Sequence, residues 1–416
     1  MNDRSNPLLR LEVKAPDDFF FEMGPIRPPS EGRDYSLLIR INRNCAWNQC
    51  EFCATYKGKK FGYRKVAELK KDIAVAKTLH DAIKAASLEA EATRRPKRDV
   101  VAAMVDRNPH LYGPGSGNEK VFLLRWQNLV NVANWVSTGA RTVFLQDADA
   151  LMMRTPELLE VIKYLKETFP TIARVTSYTR STTCFRKPRE ELEELQKAGL
   201  SRLHLGLESG CDEVLAFMRK GVTAKEQVEG GRKVRDAGIS LSEYVMPGLG
   251  GSQWWEKHAL ASARVLSEIN PDFIRLRSLV LRSNSPLLAK WQAGQFAVLP
   301  EDQVVDEIGL FLENLHCSSY LTSDQMANLL FEVEGQLPQD KEQMLEIIQG
   351  YRKKLPMEKL AFRLERRLQS YLAVYGHLPP ELKDKVQEAW EALKQERPEA
   401  QAKTDAAILA LKEGFV

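Results

Sequence analysis

The chain has 416 residues, 44% of them hydrophobic and 28% charged, with 60 basic residues against 56 acidic ones. This is an ordinary globular composition, long enough to bury a sizeable core as one barrel-sized domain plus an appendage. A net charge of +4 does not announce a nucleic-acid partner. The start, MNDRSNPLLRLEVKAPDD, has no apolar run of signal-peptide or membrane-span length, so a cytoplasmic protein without a membrane partner is expected.

Residues 1–34, rich in Pro, Asp and Gly, read as an irregular lead-in. Ser36–Ile41 (SLLIRI) has the length of a buried strand and runs directly into a cysteine cluster. From Val66 to about Thr93 apolar residues recur three and four apart, a helical pattern. The basic stretch ATRRPKRD, more helical sequence and a turn at Tyr112–Gly117 follow. Residues 66–140 thus read as a helical insertion between the first two strands, with solvated charges.

After Gly139 strands and helices alternate. Strand-like Thr142–Gln146 precedes helical Thr155–Thr168, and Ile172–Tyr178 precedes Pro188–Ala198, which Gly199 is placed to stop. Arg202–Leu207, Ile239–Met246 and Phe273–Leu281 continue the series, the last leading to helical Glu301–Leu315. With Ser36–Ile41 included these make six β/α units, and right-handed crossovers make the sheet parallel. The expected fold is therefore α/β, an open (β/α)6 partial barrel over residues 35–320. Beyond it, Asp324–Glu334, Asp340–Lys353, Glu358–Tyr375 and Glu381–Gln395 read as amphipathic helices. They predict an all-helical C-terminal domain over 321–416.

Six cysteines occur, and three of them crowd together as Cys45-x4-Cys50-x2-Cys53, in the loop RINRNCAWNQCEFCATYKG. Loops at the C-terminal ends of parallel strands carry the chemistry in such folds. In a reducing compartment clustered thiols point to metal. Four cysteines normally hold a cuboidal iron–sulfur cluster, so three leave one iron open to an outside ligand. The rival is a structural Cys3His zinc site, with His80 as the nearest histidine and no second cysteine clip in view. Cys184, Cys211 and Cys317 share no spacing pattern and read as inert.

This cluster, with an aromatic residue before its last cysteine, resembles that of the radical S-adenosylmethionine superfamily, although it carries one residue more between Cys45 and Cys50 than the usual pattern. Ser201–Ile239 (SRLHLGLESGCDEVLAFMRKGVTAKEQVEGGRKVRDAGI) is similar to the fourth-strand segment of the branch that includes anaerobic coproporphyrinogen dehydrogenases and methylthiotransferases. The resemblance covers roughly residues 35–300. It implies a [4Fe–4S] cluster on Cys45, Cys50 and Cys53 and S-adenosylmethionine on the open iron. One electron then breaks a carbon–sulfur bond and yields a 5′-deoxyadenosyl radical that abstracts hydrogen from substrate.

By position in that pattern, Phe52 is expected near the adenine. Asp147 and Asp149, in QDAD after the second strand, are candidates for the cofactor's amino group, where the family has a Gly-Gly-Glu-like motif. Tyr178 and Arg180 are candidates for its carboxylate, and Glu208 and Ser209 for its ribose. Gly248, in MPGLGG, would let backbone approach the adenine closely. Arg275 and Arg277 alternate along the sixth strand and would share one face; no catalytic residue is singled out.

The leading function is a radical enzyme of undetermined reaction, supplied with electrons by a donor such as flavodoxin or ferredoxin. The short lead-in leaves no room for an N-terminal cobalamin domain, and the tail shows no β-rich RNA-binding module. A small-molecule or peptide substrate is therefore preferred, with nucleic acid still open. The alternatives are an iron–sulfur electron-transfer or sensor protein, and a zinc-stabilised binding protein.

Overall fold

Short apolar runs buried on both faces build the main strands. In the computed structural model, which describes residues 10–13, 18–29, 34–92, 99–116 and 118–414, Leu37 and Ile39 of β1 (Ser36–Arg40) are fully buried. A two-residue ribbon, β2 (Asn42–Arg43) with β3 (Gly62–Tyr63), follows, and then β4 (Thr142–Gln146), every residue of which is buried. Next come β5 (Arg174–Thr179), β6 (Leu200–Glu208), β7 (Ser240–Val245), β8 (Phe273–Leu276), β9 (Tyr320–Thr322) and β10 (Gly335–Gln336). Each fully buried Leu or Ile contributes about 1.5–3 kcal/mol of burial energy. Strands buried on both faces are characteristic of parallel sheets covered by helices. The sheet of this partial barrel runs in the order β1-β4-β5-β6-β7-β8-β9-β10; the β1–β4, β4–β5, β7–β8 and β8–β9 pairings are parallel and β10 returns antiparallel to β9.

The chain divides into two units. The first comprises Met1–Ala46, Gly58–His204 and Lys233–Ser240. In it β1 pairs with β4 from Ser36↔Thr142 to Arg40↔Gln146, and β4 pairs with β5 from Thr142↔Arg174 to Leu145↔Ser177. Helices Val66–Ala92, Asp99–Arg107, Pro109–Tyr112 and Glu119–Ser137 fill the span between β3 and β4. Asn118 caps the last of these by accepting from Val121 N at 3.0 Å. Gly199 stops helix Arg189–Ala198 in the left-handed conformation, as its sequence position predicts. The basic stretch at 93–98, Gly117 of the predicted turn and parts of the lead-in lie outside the described residues.

The second unit comprises Trp47–Lys57, Leu205–Arg232 and Leu241–Val416. Strand β7 pairs with β8 from Ser242↔Phe273 to Val245↔Leu276, and β8 with β9 from Phe273↔Tyr320 to Arg275↔Thr322. Helices Lys341–Arg352, Pro356–Tyr375, Pro380–Lys394 and Ala400–Glu413 form the tail. Leu364, Ala389, Ala392, Ala407 and Leu411 pack at the centre of its hydrophobic core.

Three expectations are corrected here. Asp324–Glu334 is not helical. The carbonyls of Met326 and Asn328 accept from Arg367 Nη1 at 3.0 and 2.7 Å, and the buried Asn328 side chain donates to Leu276 O at 2.8 Å. These tertiary bonds replace a helical ladder that the periodicity alone would favour. The sixth parallel strand ends at Leu276 rather than Leu281, because Ser278 N donates to Asn328 Oδ1 instead of to a neighbouring strand. Strands β9 and β10 and the final helix Ala400–Glu413 were not foreseen; the two strands are only three and two residues long, too short to show an alternation.

Candidate cofactor site

The cysteine loop is built on two asparagines in left-handed backbone conformation. Asn44 (φ 67°) closes the base in the first unit by donating to Lys60 O at 2.6 Å. Asn48 (φ 45°) closes the inner turn in the second unit by donating to Tyr56 O at 2.6 Å. Asparagine tolerates this conformation better than most residues, so both positions suit the residue found there. Cys45, Cys50 and Cys53 are partly exposed and none is in a disulfide. Cys53 N donates to Cys50 O at 3.4 Å, which folds the last clip tightly.

Within the second unit the loop is fastened to the segment after β6. Glu51 N donates to Met218 O at 2.9 Å, Leu287 N donates to Glu51 O at 2.9 Å, and Trp47 Nε1 donates to Arg219 O at 2.7 Å. The Trp47 ring occupies the space beside Gly221 (φ 69°), where a Cβ would stand 2.2 Å from Cζ2. Phe52 packs against the cluster formed by Cys211, Val214, Met218 and Leu249. Lys220 Nζ lies 5.8 Å from the centre of the Phe52 ring.

Glu208 ends β6 with φ 63°, an uncommon conformation for a non-glycine residue, and pairs with Lys220 Nζ at 3.0 Å. A side chain at Gly206 would stand 2.2 Å from Glu208 Oε1, so this glycine makes room for the pair. Glu243 of β7 is fully buried, and neither carboxylate oxygen has a hydrogen-bond partner among the described residues. Burial raises its pKa well above the usual carboxylate range, Lys220 opposing and Glu208 reinforcing the shift. The sequence reading missed Glu243; a lone carboxylate inside the apolar run of ISLSEYVM was the available signal.

Ser209 is fully buried, and its hydroxyl is engaged by Cys211 N at 3.0 Å and His258 Nδ1 at 2.8 Å. Gly248 (φ 85°) donates its amide to Glu307 Oε1 at 2.9 Å. Phe52, Glu208, Ser209 and Gly248 therefore all belong to the second unit, tied together through Lys220, His258 and Glu307.

The first unit holds the remaining candidates. Asp147 is buried against Arg40 Nε at 2.6 Å, and Arg40 Nη1 also reaches Glu22 at 2.6 Å. Asp149 accepts from Thr179 Oγ1 at 2.7 Å and Thr183 Oγ1 at 2.5 Å. Burial raises its pKa, and those hydroxyls, with Arg180, counter the shift. The Tyr178 ring packs 5.2 Å from Phe144 and 5.5 Å from His204, and Arg180 follows at the N-cap of helix Ser181–Arg186. Glu22 of the lead-in joins Arg40, Arg43 and Arg64, a role that the irregular lead-in did not suggest.

Arg275 is buried on β8 with Asp324 3.4 Å away. Arg277 lies past the strand's end, its guanidinium 4.6 Å from the centre of the Tyr244 ring, so the expectation of one shared strand face is corrected. His80, the nearest histidine for a zinc site, is 2.9 Å from Asp81 and packs on Trp135 and Phe169. Among the described residues no three His, Cys, Asp or Glu side chains gather closely enough to hold a single metal ion. Cys211 Sγ lies 3.1 Å from Glu213 and its pKa is raised chiefly by burial, the opposite of a thiolate prepared for metal.

Comparison with known proteins gives this site a family. The model described as "Radical SAM superfamily" matches residues 39–262. The tRNA uridine(34) acetyltransferase of Methanocaldococcus jannaschii is 24% identical over 131 residues, 31% of this chain. The chain spans about a quarter of that relative's length (24%). Among solved structures, methylornithine synthase aligns at 16% identity over 82% of this chain and 78% of its own, with a TM-score of 0.40. Coproporphyrinogen III oxidase from Escherichia coli aligns at 13% identity over 66% of this chain and 51% of its own, with a TM-score of 0.39.

Proposed function

We propose, from the premise that the chain belongs to the radical SAM superfamily, that Cys45, Cys50 and Cys53 hold its [4Fe–4S] cluster. The chain is a radical enzyme that reductively cleaves S-adenosylmethionine at such a cluster, giving a 5′-deoxyadenosyl radical that acts on substrate. The observation that carries the residue assignment is the loop itself. It presents three partly exposed thiols, none in a disulfide, and Glu51 and Trp47 fasten it to the backbone after β6. Soft thiolate donors suit an iron–sulfur cluster, and three of them leave one iron to the cofactor.

The cofactor's parts are assigned to the same neighbourhoods of the chain. In the second unit Phe52 and Gly248 take the adenine and Glu208 the ribose hydroxyls, with Ser209 fixing the end of that strand. In the first unit the amino group would share Asp147 with Arg40, beside Asp149, while Arg180 and Tyr178 face the carboxylate. Lys220, 3.0 Å away, holds the Glu208 carboxylate oriented as an acceptor. The barrel is assigned to residues 35–320, with 66–140 inserted, and the helical extension to 321–416.

The reducing electron comes from a small donor such as flavodoxin or ferredoxin, in the cytoplasm. Among the described residues no helix is long and apolar enough to cross a membrane. A small molecule or peptide is the preferred substrate; the identity shared with an enzyme named for tRNA uridine(34) favours nucleic acid as the second reading. The test is formation of 5′-deoxyadenosine after anaerobic reconstitution and reduction with dithionite. The wild type should form it, and Cys45→Ala, Cys50→Ala and Cys53→Ala should not. Deuterium transferred into 5′-deoxyadenosine from labelled metabolites, peptides or tRNA then separates the substrate classes.

A further inference from the structure

A buried polar network joins the two loops of the second unit that are assigned to the nucleoside. His258, on helix Gly251–Ile269, is 1% exposed, and Glu307, on helix Glu301–Glu313, is 2% exposed. His258 Nε2 is 3.1 Å from Met246 O, and a carbonyl only accepts, so Nε2 carries the hydrogen. Nδ1 is then the acceptor, and Ser209 Oγ donates to it at 2.8 Å. Glu307 Oε1 accepts the Gly248 amide at 2.9 Å and lies 3.4 Å from His258 Nε2.

The ring of His258 thus ties the end of β6, through Ser209, to the loop after β7, through Met246. Glu307 holds the same loop two residues further on. Its second oxygen, Oε2, has no partner among the described residues. Glu307 also lines a cavity of about 10 Å³, with Val245, Pro247, His258, Ser262 and Phe311 among others, the room one water needs. Burial pushes the Glu307 pKa up to about 8 and that of His258 down to about 4, so both are neutral near pH 7. His258 is the titratable group that faces Glu307 in this lining.

We propose that His258 and Glu307 are positioning residues for S-adenosylmethionine, locking Ser209 and Gly248 in register around one buried water held by Glu307. The inference rests on the assignment of those two loops to the nucleoside. A neutral Glu307 donates from Oε2 to that water while Oε1 keeps the Gly248 amide. An ionised one would stand as an unneutralised charge in an apolar lining, and the loop would shift to reach solvent.

The test is equilibrium binding of S-adenosylmethionine to the reconstituted full-length protein, with iron content measured alongside. His258→Ala and Glu307→Leu should weaken binding about tenfold without loss of iron, and Glu307→Gln should restore what Glu307→Leu loses, because an amide oxygen also accepts from Gly248. Wild-type affinity should fall as pH rises through about 8, and Glu307→Gln should lack that fall. Wild-type affinity in His258→Ala and Glu307→Leu, or the same alkaline profile in Glu307→Gln as in the wild type, overturns the proposal. A wild type that holds its cluster yet binds no S-adenosylmethionine overturns instead the assignment of the cofactor site.

Discussion

Lys220 Nζ lies 3.0 Å from Glu208 Oε1, in a pair whose side chains are only 11% and 14% exposed. Removing one partner of so sheltered a pair leaves a charge that water cannot fully reach. Lys220→Met should therefore cost about 3 kcal/mol of stability, in the range found for broken buried pairs, and should weaken S-adenosylmethionine binding through loss of Glu208 orientation. Denaturant unfolding and a binding isotherm check the two effects; an unchanged unfolding midpoint would contradict the first.

Gly221 should tolerate no side chain. Its φ of 69° strains any L-residue, and a Cβ there would meet the Trp47 ring. Gly221→Ala should lose about 1–3 kcal/mol and, by displacing Trp47 from Arg219 O, loosen the cysteine loop. The measurement is iron retained after reconstitution, expected below wild type, alongside the melting temperature.

Glu243 lowers the stability of the fold at high pH. Its raised pKa means that folding favours the protonated form, so its contribution is fully present below the ordinary carboxyl pKa. That contribution fades as pH rises toward the elevated folded value. Glu243→Gln should be more stable than wild type by about 1–3 kcal/mol at alkaline pH and flatten this part of the pH profile. Equal pH profiles for the two proteins would refute this.

Glu301 behaves oppositely. Arg367 at 2.7 Å and Lys412 at 3.0 Å hold its pKa down to about 2, against the opposing effect of burial. Its stabilisation is present above the ordinary value of 4.5 and lost as pH falls through about 2. Glu301→Gln should cost up to about 3 kcal/mol at neutral pH, a gap that closes progressively in acid. Chemical unfolding of both proteins from neutral pH to about pH 2 follows the gap.

Much of the fold was legible because burial on both faces writes itself into local sequence. Thr142–Gln146 is a strand over the same residues that its apolar run indicates, and Gly199 stops its helix. The cysteine loop was legible from the spacing of three thiols. What escaped detection depends on contacts remote in sequence. Asp324–Glu334 has helical periodicity, yet Arg367, some forty positions on, takes its carbonyls. His258 and Glu307 meet Ser209 and Gly248 across separations of 49 and 59 residues, and neither sits in a local pattern. Glu22 lies in a lead-in whose composition reads as irregular, although Asn128 pins the neighbouring Phe21 by accepting from its amide at 2.8 Å and donating to its carbonyl at 3.0 Å.

Electron–nuclear double resonance on the reduced, reconstituted protein mixed with S-adenosylmethionine labelled with nitrogen-15 at its amino group tests the central claim most directly. A hyperfine coupling between that nitrogen and the cluster is predicted, showing that the cofactor occupies the iron left free by Cys45, Cys50 and Cys53. A cluster signal with no such coupling, unchanged by adding the cofactor, would contradict the account.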